Sequence, residues 1–275
     1  MSLKNRIKNK FPVTYKNIKC VLRFPKKIKK YIKSELYYII HFKEIIYADI
    51  VLSIGNNCQA AYYMEEYDLR KFASPIDWMA GYSLETLFNL FKNDFRDFFS
   101  SYYEDYSRSK ENGNARFVIN KHNGMIAMHH FHKNSQIEQQ FSNFLSKTFK
   151  RWQRIKNYLS LANNIVFISH RNDRLEDLEK FLFNFSTLYD VNLTILNFRD
   201  DKNNEYKKIY NINKKLKIVE FCFDDKFPPN DRLLIKNPGI VWIGNYKKWG
   251  GGMRLIKLSN KIDFNNKLEK EDVWI

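Results

Sequence analysis

A chain of 275 residues that is 44% hydrophobic and 16% aromatic can bury a sizeable core, which excludes a disordered polypeptide, and its 9 glycines and 6 prolines exclude a collagen-like or linker-dominated one. Its three cysteines, Cys20, Cys58 and Cys222, are odd in number and far apart, with no CxxC and no Cys/His pair at zinc-finger spacing, so free thiols in a reducing, cytoplasmic compartment are expected and no metal site. The net charge of +17 is uneven: residues 1–47 hold thirteen basic side chains against Glu35 and Glu44, a net +11, and the remaining 228 residues carry only +6.

Residues 1–47 therefore read as a basic arm, and 48–275 as a single α/β domain of catalytic type. Within the arm, Ile28, Ile32, Leu36, Ile39, Ile40 and Phe42 recur at helical spacing with lysines between them. A basic amphipathic helix of this kind either packs on the body with a solvated lysine face or lies on an anionic membrane surface, which would place the protein on the inner face of a membrane as a peripheral component. Its apolar stretches are broken by charges, so neither a secretory signal nor a bilayer-spanning run is expected.

The body alternates. Asp49 to Gly55 is a short β-branched apolar run, followed by a helix over about 57–69 and a strongly amphipathic one over 83–99. Phe117 to Asn120 and Met125 to Phe131 read as two short strands joined by an Asn-Gly turn at His122-Asn123-Gly124. A helix over about 135–161, a strand at Ile165 to Ser169, a helix over 175–189, and strands at Leu193 to Phe198 and Lys217 to Phe223 follow. Two apolar runs, 239–243 and 254–258, predict an edge hairpin turning at Trp249-Gly250-Gly251-Gly252, glycines that match neither a P-loop nor a G-x-G-x-x-G frame. Strands separated by helices of ten or more residues are the sequence form of βαβ units, so the expected architecture is a mostly parallel sheet with helices on both faces.

In an open parallel sheet, ligands bind outside the carboxyl ends of the strands. That rule selects Gly55-Asn56-Asn57-Cys58, His129 and His130, His170, and Asn197 to Asp200. Asn56 or Asn57 is a plausible N-cap, which puts Cys58 in the first helical turn, where the dipole and free N–H groups favour a thiolate. The competing reading is a small buried residue packing helix on sheet, the role expected of Cys222; Cys20 lies in the arm. A nucleophilic thiolate wants an imidazole within reach, and strand alternation lets only one of His129 and His130 face it. Arg151, Trp152 and Arg154 lie on one helix, and the arginine forks would suit a phosphate or a sugar acid.

The run SIGNNCQAAYYMEEYDLRKFASPIDWM, from Ser53 to Met79, resembles the signature of a bacterial family described as putative papain-like cysteine peptidases: an apolar strand, a Gly-x-x-Cys turn, a helix, then Leu-Arg and Ser-Pro-x-Asp-Trp. The later HHF resembles that family's His-x-Phe element, and KRWQRI its basic helix; the likeness spans about residues 49–200. The resemblance implies Cys58 as nucleophile and His130, which precedes Phe131, as its partner, and leaves the third member open. Asp77 is the choice for orienting the histidine or shaping the pocket, against a structural turn in which it caps the next segment, with Asn245 and Asp200 as weaker alternatives. Asn56, Asn57, His129 and Trp78, with Arg151, Arg154 and His170, would line the substrate site. The resemblance also implies an α+β papain-like fold, whereas the alternation reads as α/β; the alternation is taken for the fold and the resemblance for the cysteine.

Two functions are set against each other. The first is a thiol-dependent hydrolase or acyltransferase acting on a peptide, a small molecule or a surface glycan in polysaccharide biosynthesis, where a transfer reaction would take an acyl donor such as coenzyme A and no other cofactor is called for. The second is a non-catalytic protein that binds a glycan or an anionic membrane through its arm. Nucleic acid ranks last as a partner, because the charge sits in one arm and no recognition module is present.

Overall fold

The computed structural model describes residues 44–228, 231–232 and 237–264. The expected basic helix, most of the arm and Cys20 lie outside these residues. The described body holds a five-stranded sheet and a four-stranded one, in line with a mixed α/β class.

The larger sheet is built from β1 (Ile50–Ser53), β6 (Asn164–Ser169), β7 (Asn192–Asp200), β8 (Tyr206–Asn211) and β9 (Leu216–Phe223), in the spatial order β1-β6-β7-β9-β8. The first four in that order run parallel, and β8 pairs antiparallel with β9 at the edge. Register aligns Ile50 with Ile165, Leu193 and Leu216, and Leu52 with Phe167, Ile195 and Ile218. These eight side chains form continuous apolar rows, all buried. Phe167, in the second row, meets Phe181 and Phe185 of α5 (Leu175–Ser186) at ring separations of 5.4 and 4.9 Å. Phe198 has the opposite parity on β7 and stacks at 4.0 Å on Trp249 of α6 (Tyr246–Met253). The two sets of strand side chains thus meet different helices, as period-two alternation requires. Burying each such aromatic contributes roughly 1.5–3 kcal/mol.

The smaller sheet is antiparallel: β2 (Met79–Ala80), β5 (Ile126–Ala127), β4 (Val118–Asn120) and β3 (Tyr102–Glu104), in that spatial order. Gly124, at φ +72°, closes the expected turn between β4 and β5, its N–H donating to the Asn120 carbonyl. Beyond Ala127 the chain leaves the strand, so Met128 to His130 form a bend instead of the expected extension to Phe131.

Three expectations are corrected. The helix expected over 83–99 stops at Lys92 (α2, Leu84–Lys92), because Asp94, Phe95 and Phe99 take left-handed backbone angles. Each such angle costs roughly 1–2 kcal/mol, offset here by the full burial of Phe95, Phe98 and Phe99. The predicted hairpin at the end is a 3-10 helix at Pro238–Ile243, then α6, then β10 (Ile256–Leu258). The glycines serve close packing there: a Cβ on Gly252 would lie 2.7 Å from the Phe198 ring. Finally, β8 was not expected at all, since Lys207, Lys208 and Ile209 are exposed; backbone pairing to β9 holds it, together with the Tyr206 hydroxyl donating to Glu220 Oε1 at 2.8 Å.

Candidate active site

The segment between β1 and α1 (Gln59–Glu66) is held from two distant parts of the chain, at Tyr82 and at His170-Arg171. Arg171 is buried and donates from Nε to the Ile54 carbonyl at 2.9 Å and from Nη2 to the Tyr82 carbonyl at 2.7 Å. Tyr82 donates its hydroxyl to the Gly55 carbonyl and its N–H to Asn56 Oδ1. Asn57 accepts the Gln59 N–H at 3.0 Å, satisfying one of the orphan donors of the helix start, and donates from Nδ2 to Nδ1 of His170 at 2.7 Å. Gly55 lets this turn lie against the helix, since a Cβ there would sit 2.8 Å from Ala60 Cβ.

Cys58 follows as the N-cap residue of α1. Its sulfur lies 3.5 Å from Nε2 of His129, with the thiol half-buried and the histidine exposed. Trp78 stands edge-on to His129 at 6.3 Å, on a backbone at φ +66°. The strand-end rule thus brought the right segments together, but the neighbour of the thiol is His129 and not His130. The expectation failed because it assumed a regular strand through a segment that bends. His130 turns instead toward Phe144, 5.4 Å away and edge-on, and burial together with the Arg151 charge pushes it down to about 3.

The electrostatics also depart from expectation. Burial, and then the nearby Asp77 carboxylate, push the Cys58 thiol up to about 11, where a thiolate had been expected. The Asn57 side chain already occupies one first-turn N–H that could have stabilised the anion. The His129 ring, partly desolvated, lies below the usual imidazole range. At neutral pH the two groups are therefore a thiol and a neutral imidazole.

Asp77 is buried, and its Oδ2 accepts from Arg70 Nε and from the Ser74 N–H, both at 2.9 Å. No hydrogen bond joins it to His129 among the described residues, so it does not orient that ring directly. Its Oδ1 and the Trp78 Nε1 are buried atoms without a hydrogen-bond partner among the described residues. Arg154 reaches the Ala73 carbonyl at 3.5 Å, and Trp152 belongs to the core, fully buried and donating from Nε1 to Asp94. Arg151 is buried and lines a separate cavity with His130.

One buried polar cluster joins His170 to Asp225, a carboxylate that the strand-end rule had not selected. His170 Nε2 lies 3.3 Å from Asp225 Oδ2, which also accepts from Gln59 Nε2, while Asp225 Oδ1 accepts from the Asn245 N–H and Trp249 Nε1. Burial pushes Asp225 up to about 6 and His170 down to about 4. Asp200 and Asn245, the weaker alternatives for a third catalytic member, both hold Asp225 instead. The strand-end rule applied to β9, which precedes Asp224-Asp225, would have found this carboxylate. No group of three or more His, Cys, Asp or Glu side chains among the described residues could hold a metal ion, and no described helix is long and apolar enough to cross a membrane.

A family model described as "Putative papain-like cysteine peptidase (DUF1796)" matches residues 49–200, more than half of the chain. No curated protein and no solved structure matches.

Proposed function

Because the chain belongs to the family described as putative papain-like cysteine peptidases, we propose that it is a thiol-dependent hydrolase or acyltransferase in which Cys58 is the nucleophile and His129 its general base. The observation that carries the proposal is the 3.5 Å contact between Sγ and Nε2 at a solvent-accessible strand end. As the sulfur attacks a substrate carbonyl, its proton passes to Nε2, and the carbonyl oxygen takes the charge against N–H groups of the helix start. The imidazolium then returns the proton to the leaving amine or alcohol, which departs as the C–S thioester remains. Attack by water gives hydrolysis, and attack by an acceptor hydroxyl or amine gives transfer. Peptide, small-molecule and glycan acyl groups all fit this chemistry, and the basic residues of 1–47 would draw the protein to an anionic membrane surface.

The test is a p-nitrophenyl ester applied to the full chain, with mass spectrometry of the trapped acyl-enzyme. One acyl group on Cys58, absent in Cys58→Ser and in His129→Ala, is the expected result. Acylation elsewhere, or none, overturns the reading.

A further inference from the structure

Asn57 and Gln59 flank Cys58 in the chain, and their side chains close a ring of hydrogen bonds with His170 and Asp225. Asn57 Nδ2 donates to Gln59 Oε1 at 3.0 Å and to His170 Nδ1 at 2.7 Å. Gln59 Nε2 donates to Asp225 Oδ2 at 2.9 Å, and His170 Nε2 lies 3.3 Å from the same oxygen. The backbone fixes the polarity of this ring: because Asn57 Oδ1 accepts the Gln59 N–H, its Nδ2 is the group that faces His170. Nδ1 of the imidazole is then the acceptor, and Nε2 carries the proton, aimed at Asp225. On the far side, Asp225 Oδ1 accepts from the Asn245 N–H at 2.7 Å and from Trp249 Nε1 at 3.0 Å, so four N–H groups converge on one carboxylate. Gly244, at φ +68°, leaves the room for it, since a Cβ there would collide with the Asp225 carboxylate.

We propose that Asp225 is a positioning residue for the nucleophile: acting through Gln59 and His170, it holds the residues on both sides of Cys58 and so sets where the sulfur stands relative to His129. Its bearing on turnover rests on the reading of Cys58 as the nucleophile. The carboxylate is the one group in the ring that only accepts, and every other member is oriented by that. Whichever way an amide were turned in its place, the NH2 would face two N–H donors, so the four contacts could not all be kept. A nucleophile turn that shifts by a fraction of an ångström loses rate while the substrate still binds.

The test uses the full chain at pH 8, with the ring nitrogens of His170 followed by NMR and the acylation of Cys58 by a p-nitrophenyl ester followed over a range of ester concentrations. His170 in the Nε2–H form, ring resonances displaced in both Asp225→Asn and Gln59→Met, and an acylation rate constant at saturating ester lowered about ten- to hundredfold with KM nearly unchanged, are the expected result. Should Asp225→Asn fail to fold, Gln59→Met, which cuts the ring at a single member, decides alone. A proton on Nδ1 of His170 in the unmodified chain, unchanged acylation in the folded variants, or a loss confined to KM overturns the proposal. An unmodified chain that takes no acyl group on Cys58 sinks the catalytic reading instead; the holding of the turn is then judged by the His170 resonances, and their staying in place in the variants overturns it.

Discussion

The sulfur of Cys58 and Nε2 of His129 lie 3.5 Å apart, although 71 residues separate them in the chain. Their contact is made by a helix start on one side and a bend beyond a two-residue strand on the other. If the pair works as a unit, His129→Ala lowers turnover of an ester substrate about 10²- to 10⁴-fold, the usual worth of a positioned base. His130→Ala, acting on the far side of the segment, leaves turnover within about tenfold in a steady-state assay on folded protein. Equal loss in both variants sinks the assignment.

A thiol near 11 beside a depressed imidazole gives a distinctive pH profile. Iodoacetamide labelling of Cys58 rises steadily between pH 7 and 10 and does not level off near the ordinary thiol value of about 8.5. A plateau already reached at pH 6 would mean a resting thiolate–imidazolium pair and would contradict the neutral pair.

Asp77 disfavours the thiolate, so Asp77→Asn speeds labelling of Cys58 at pH 8 by up to about tenfold, one pKa unit of relief. The same change weakens the ion pair with Arg70 and lowers the melting temperature. Unchanged labelling together with an unchanged melt would remove Asp77 from the electrostatics of the site.

Acid stability follows from the histidines. His130 at about 3 and His170 at about 4 both lie below the unfolded value of about 6.5, so the unfolded chain binds more protons between these limits. Their contribution is complete above pH 6.5 and is lost as the pH falls. The raised Asp225 opposes part of this, because its folded form takes up a proton near 6 while the unfolded carboxyl waits until about 4. For His130 the share of the loss by pH 4 is up to about 3 kcal/mol. Urea denaturation of His130→Gln at pH 7 and pH 4 checks this: the drop between the two should be smaller than in the unmodified chain.

His170→Phe deprives Asn57 Nδ2 of its 2.7 Å acceptor and Asp225 of its imidazole neighbour. Stability falls by about 1–3 kcal/mol, the cost of stranding buried polar groups. Turnover should fall more than iodoacetamide labelling does, since a small reagent needs the thiol alone and an acyl substrate needs the whole turn in place. A fall in both by the same factor would make His170 purely structural.

The parallel sheet was legible because Ile50, Ile165, Leu193 and Ile218 sit in short, mostly apolar runs, the first three separated by helical stretches. The place of the cysteine at a helix start was legible too, since a short Gly-Asn-Asn turn separates it from such a run. The partner histidine was not, because choosing between His129 and His130 needs the parity of a strand that ends at Ala127. Gly250 to Gly252 misled because glycine signals a turn locally, whereas here its lack of a side chain lets a helix approach Phe198. The Asp225 carboxylate was within reach of the strand-end rule, whereas its contact with Gln59, 166 residues away, has no local signal.

The reach of Asp225 back to His170 bears on how much of the chain is needed for an intact site. The family match ends at residue 200, inside the last residue of β7, yet β9, Asp225 and Trp249 come from beyond it. A fragment cut at that boundary would keep Cys58 and His129 but leave the whole outer edge of β7 without its hydrogen-bonded neighbour and Phe198 without its stacking partner. Such an uncovered apolar edge pairs with other copies of itself. The matched segment is thus not an autonomous module: expressed alone it should aggregate, and residues 201–264 have to accompany it for the edge of β7 to be paired and for His170 to keep its Asp225 neighbour.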